Sequence, residues 1–105
     1  MKRIIIESPF AGDVERNIRY TRECMADSLK RGEAPFASHL LYTQEGILDD
    51  TNPEERKLGI ESGFAWGEVA EGIAVYEDYG ISGGMKLGIE RAEKQGIPIE
   101  YRKLY

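Results

Sequence analysis

Gly72-Ile73-Ala74-Val75-Tyr76-Glu77-Asp78, followed by Ile81-Ser82-Gly83-Gly84-Met85, is the stretch whose reading decides the fold. A short apolar run ending in acids reads as a buried strand. The Ser/Gly turn after it opens directly into a helical pattern that runs to Gln95. A helix that starts at such a turn carries free backbone N–H groups and the positive end of its dipole. Together these make a small anion pocket.

Working outward, a second unit of the same kind opens the chain. Arg3-Ile4-Ile5-Ile6-Glu7 is three consecutive Ile bounded by charge, the pattern of a strand buried on both faces. The loop Ser8-Pro9-Phe10-Ala11-Gly12-Asp13 leads into a helix to about Arg31, with Asp13 as N-cap and Gly32 as stop. Its apolar face is expected at Val14, Ile18, Thr21, Met25 and Leu29. Ala34 to Ser38 reads as the second strand, and Thr43 to Asn52 as a long polar loop. Asn52-Pro53-Glu54-Glu55 is a helix opening, with an N-cap, Pro at the first helical position and acids in the first turn. That helix runs to about Val69 or Ala70, and the last strand is Pro98 to Arg102.

Strands alternating with helices imply a parallel sheet covered on both faces. The expected architecture is α/β, a flavodoxin- or Rossmann-like three-layer fold with four to five parallel strands. Residues 1–105 read as a single domain. In such sheets a ligand lies outside the carboxyl ends of the strands at the switch point, here between the first and third strands. The Ser8–Asp13 and Glu77–Gly84 loops should therefore face one crevice.

Composition narrows the partners. The net charge is -5, with 14 Lys and Arg against 19 Asp and Glu, which argues against a nucleic-acid backbone as partner. No apolar run is long enough to span a membrane. Cys24 is the only cysteine and His39 the only histidine, so neither a disulfide nor a metal site is expected, and no cofactor. A cytoplasmic location is the default expectation.

The candidate site residues divide between the loops. Ser82, Gly83, Gly84 and Met85 form the anion cradle. From the first loop and helix, Ser8, Pro9, Phe10, Gly12, Arg16 and Asn17 can line the other wall. Phe10 can stack on a base, while Ser8 and Asn17 can hydrogen-bond a sugar or phosphate. Either Asp78 or Glu77 can reach ribose hydroxyls, since strand neighbours alternate in direction, and Asp78 is the preferred one. His39 can act as an acid or base, or serve as a hydrogen-bonded structural group. Asp50 lies in the long loop, where it can belong to a lid. Gly59, Gly63 and Gly67 recur every four residues, so something approaches that helix closely. A helix of a second copy, making a homodimer or higher homo-oligomer with Phe64 and Trp66 nearby as anchors, is the preferred reading, and packing within the chain is the plain alternative.

With Glu7-Ser8-Pro9-Phe10-Ala11-Gly12-Asp13, Ala34-Pro35-Phe36-Ala37-Ser38-His39, Leu48-Asp49-Asp50 and Gly80-Ile81-Ser82-Gly83-Gly84-Met85 in view, the chain resembles the nucleoside 2-deoxyribosyltransferase-like superfamily, in its small phage and bacterial branch. The resemblance covers nearly the whole length. It implies a pocket for a nucleoside or nucleotide with its phosphate on the Ser/Gly turn. It also implies a Glu nucleophile on the last helix at position 88, and an Asp near position 63. This chain has Gly88 and Gly63 there. Two functional expectations follow. One is a nucleotide- or nucleoside-binding protein that has lost catalysis and sequesters a small nucleotide signal. The other is an active N-glycosidase or 2-deoxyribosyltransferase on (deoxy)nucleoside monophosphates using another acid, with Asp78, Glu77 and Asp50 as candidates. A protein-interaction domain on the same scaffold is the plain alternative.

Overall fold

The computed structural model describes all of residues 1–105. The elements in chain order are β1 (Arg3–Glu7), α1 (Val14–Lys30), β2 (Ala34–Phe36), α2 (Ser38–Leu41), α3 (Pro53–Gly67), β3 (Gly72–Tyr76), α4 (Gly83–Gln95) and β4 (Ile99–Arg102). The four strands form one parallel sheet in the order β2-β1-β3-β4. This is the α/β architecture expected, with four strands. In the central pair Ile5 lies beside Ile73 and Glu7 beside Val75. The sequence pattern did not reveal α2, a single turn in the segment after β2.

Each sheet face has its own apolar cluster. Ile4, Ile6, Ala74 and Tyr76 pack with Tyr20 and Cys24 of α1. Ile73 and Val75 pack with Met85, Ile89 and Ala92 of α4, with Ile5 against them. The alternation of strand side chains thus assigns even positions of β1 to the α1 layer and odd positions to the α4 layer. Glu7 follows Ile5 in that parity.

The buried face of α1 matches the expected one only in part, at Thr21 and Met25. Asn17, Tyr20, Thr21, Cys24 and Ser28 are buried, whereas Val14 and Leu29 are exposed. Polar groups on its inner face have specific partners. Ser28 Oγ donates to Glu33 at 2.7 Å, and Tyr20 OH donates to Asp78 at 2.5 Å. Burial of such groups is tolerated when each finds a partner.

The glycines of α3 also face inward. A Cβ at Gly59 would meet Leu48 at 3.2 Å, one at Gly63 would meet Ser38 Oγ at 2.6 Å, and one at Gly67 would meet Arg91 Nη1 at 2.5 Å. Close approach along this stripe is thus accounted for within the chain. The close approach is made by α2, the 43–52 loop and α4 of the same chain. No helix is long and apolar enough to cross a membrane.

Candidate functional site

A cleft of about 230 Å³ opens at the carboxyl ends of β1 and β3, walled by α2, α3 and α4. It lies where the order of the sheet reverses, since β1 sends its chain to α1 on one face and β3 sends its chain to α4 on the other. The first-strand loop contributes Ser8, Phe10 and Ala11, and the loop and helix after β3 contribute Ser82, Gly83, Gly84 and Met85. Ser8 and Ser82 thus border the same cavity.

One end of the cleft suits an anion. Ser82 is the N-cap of α4, and its Oγ accepts the Met85 N–H at 3.3 Å. The N–H groups of Gly83 and Gly84 have no acceptor within the chain. The Arg56 guanidinium lies 3.9 Å from where a Gly84 Cβ would stand, and its Nε is 3.9 Å from Asp50 Oδ1. Asp50 and Arg56 both line the cleft.

The floor of the cleft holds an acid that the sequence reading missed. The Glu7 carboxyl lies against Gly88, so that a Cβ there would overlap Oε2 and stand 2.6 Å from Cδ. Position 88, where the resemblance implied a helix carboxylate, therefore leaves room for a carboxylate from β1. The Glu7 carboxyl makes no hydrogen bond and no ion pair within the chain. Burial without a compensating partner pushes its pKa up to about 8. The available signal was parity: Glu7 continues the Ile5 face, which meets α4.

His39 belongs to the same wall. Its Nε2 is 2.7 Å from Ser8 Oγ, which is itself 2.7 Å from Thr21 Oγ1. Burial pushes the His39 pKa down to about 4, so the ring is neutral near pH 7. The Ser8, Thr21 and His39 side chains tie the first loop to α1 and α2.

Other candidates fall outside the cleft. Asn17 is fully buried and donates from Nδ2 to the Phe10 and Ala11 carbonyls at 2.8 and 3.2 Å. It shapes the first loop instead of facing a ligand. Arg16 donates to Asn17 Oδ1 and lies 4.0 Å over the Tyr79 ring, away from the cavity. Pro9 is buried, and Gly12 sits at φ +100° in an exposed turn. Asp78 accepts from Tyr20 OH and from the Leu104 and Tyr105 backbone N–H groups, at 2.5 to 3.1 Å. Those bonds hold its pKa below the usual carboxylate value against the opposing effect of desolvation. Asp78 anchors the C-terminal segment, which corrects its assignment to ribose or catalysis. Glu77 is not part of the cleft either. No group of three or more His, Cys, Asp or Glu side chains converges anywhere in the chain.

The fold has a counterpart among solved structures. A 2-deoxyribosyltransferase from the psychrotolerant bacterium Bacillus psychrosaccharolyticus, described as a biocatalyst for nucleoside synthesis, is similar with a TM-score of 0.66. The likeness covers 96% of this chain and 72% of that one at 14% sequence identity, a distant relationship of fold. No curated protein matches the chain. Residues 2–102 match the model of a family described as a domain of unknown function (DUF7768), and the chain belongs to that family.

Proposed function

We propose that the cleft binds a nucleoside or nucleotide, with a phosphate at the first turn of α4 and the sugar over Glu7. The observation that carries this reading is the pair of unpartnered amides at Gly83 and Gly84 beside the Arg56 guanidinium, at the β1/β3 switch point. Helix N-termini with a nearby cation suit phosphate groups. The cavity is smaller than the usual range of roughly 300–1,000 Å³ for ligand pockets, which favours a compact guest. Phe10 and Phe64 on its walls offer surfaces for a base. The fold shared with a nucleoside-processing enzyme supports the same ligand class.

Titration calorimetry with deoxynucleoside 5'-monophosphates and the matching nucleosides tests the reading. Monophosphates should bind more tightly than nucleosides. Arg56→Ala should weaken the monophosphate by roughly 10-fold and leave the nucleoside unchanged, as expected for loss of one charge-assisted contact. A monophosphate affinity unchanged in the variant would remove the phosphate from this end of the cleft. Recovery of the ligand after denaturation then separates two modes. An intact ligand fits a protein that sequesters a nucleotide, and a free base fits an N-glycosidase. The second mode is favoured by one observation, the unpartnered Glu7 carboxyl in the cleft.

A further inference from the structure

We infer that Glu7 is a catalytic acid that breaks the bond between the sugar and the nitrogen base of a bound nucleoside or nucleotide, an inference that rests on the ligand class proposed above. The Glu7 O–H gives its proton to the leaving nitrogen as the C–N bond breaks, and the bonding pair goes to the base. Water then adds to the sugar carbon, and the proton it loses returns to Glu7. Ligand and water become free base and free sugar, and the carboxyl ends as it began.

The geometry singles out this group. Only two acids line the cleft, Glu7 and Asp50. Asp50 faces Arg56 at the anion end. Other sheltered acids are held by partners: Asp27 by Tyr76 and Arg31, Glu33 by Arg102 and Ser28, and Asp78 by Tyr20 and the C-terminal backbone. Glu7 alone points into the cavity with no donor engaging it. Room for its carboxyl exists because position 88 has no side chain. A half-buried acid without a partner lowers stability, and such groups concentrate where a ligand uses them.

The surroundings keep the proton in place. His39 of α2 is neutral near pH 7. Arg56 of α3 faces Asp50, while Arg91 of α4 pairs with Glu68 at 3.6 Å and lies 4.7 Å over the Phe64 ring. No cation is within ion-pair distance of Glu7 to favour its charged form. A carboxyl that stays protonated to about pH 8 is suited to give a proton at neutral pH.

The test uses the full chain, wild type and Glu7→Gln, with deoxynucleoside monophosphates and nucleosides as probes. Binding is read by calorimetry and free base by chromatography. Wild type should release base, at a rate that is level below about pH 8 and falls above it. Glu7→Gln should bind within about threefold of wild type and release base at least about 100-fold more slowly, the usual range for loss of an acid catalyst. In ligand-free protein, carbon NMR of labelled Glu carboxyls should show one resonance, absent in Glu7→Gln, that titrates near pH 8. Base release by Glu7→Gln at the wild-type rate overturns the inference. So does tight binding by wild type with no base released, which leaves the ligand proposal standing. A Glu7 resonance titrating near the ordinary 4.5 also overturns it, whatever the ligand. Failure of every probe to bind wild type removes the ligand class and the inference with it.

Discussion

At the scale of single residues, two carboxylates in comparable strand-end positions have opposite roles. Asp78 follows β3, where Tyr20 OH and two backbone N–H groups of the C-terminal segment converge on it. Glu7 ends β1, where nothing in the chain engages it and Gly88 makes its room. Asp78→Ala should therefore lower stability by about 1–2 kcal/mol in urea unfolding, the range for lost bonds to a charged group at a partly exposed site. Ligand affinity should stay unchanged, because Asp78 lies outside the cleft. Gly88→Ala probes the other residue. Its Cβ would force the Glu7 carboxyl to move, so base release should fall at least about 10-fold while the anion end still holds phosphate. Comparing monophosphate affinity with the rate of base release checks both halves of that statement.

At the scale of elements, the close packing of α3 against α2 and α4 depends on absent side chains. Gly63 has Ser38 Oγ at 2.6 Å and Ser38 Cβ at 2.9 Å from the position of a Cβ. Both atoms belong to a short, tethered helix, so neither yields easily. Gly63→Ala should cost about 1–3 kcal/mol in chemical unfolding, the usual range for overpacking. Adding Ser38→Gly should recover much of that loss, because it removes both opposing atoms; an unrecovered double variant would place the strain elsewhere. The same glycines, read in sequence, indicated only that something comes close. Periodicity along one helix cannot name the neighbour, since a second copy and the same chain leave the same stripe. Element ends were more legible. Asn52 Oδ1 accepts from the Glu54 and Glu55 N–H groups, and Ser82 Oγ caps α4, both as the local pattern implies.

For the whole molecule, two half-buried groups in one cleft make stability depend on pH. Folded Glu7 keeps its proton to about pH 8, whereas an unfolded one loses it near 4.5. The folded state binds more protons between those values, so stability falls as pH rises across that window, by at most about 1.4 kcal/mol per pH unit. His39 acts in the other direction. Unfolded, it takes up a proton near 6.5, and folded only near 4, so stability falls as pH drops between those values. The slopes oppose each other between 4.5 and 6.5, and Glu7 alone remains above 6.5. Urea midpoints should therefore decline from pH 6.5 to 8, and Glu7→Gln should flatten that decline. An unchanged slope in the variant would assign the proton to another group.

Strand and helix periods, turn residues and caps are local. They act within a few residues through backbone geometry and short-range hydrogen bonds, and so the alternation of elements, the parallel sheet and the turn at Ser82-Gly83-Gly84 were determined by the sequence alone. Which side of α1 is buried, which acid enters the cleft and what fills the glycine stripe were decided only in the tertiary structure. Each depends on groups brought together from distant parts of the chain: Tyr20 with Asp78, Glu7 with Gly88, Gly67 with Arg91. A carboxyl is sheltered or solvated according to what packs around it, and that shell exists only once the sheet has ordered β1 beside β3 and laid α4 across them.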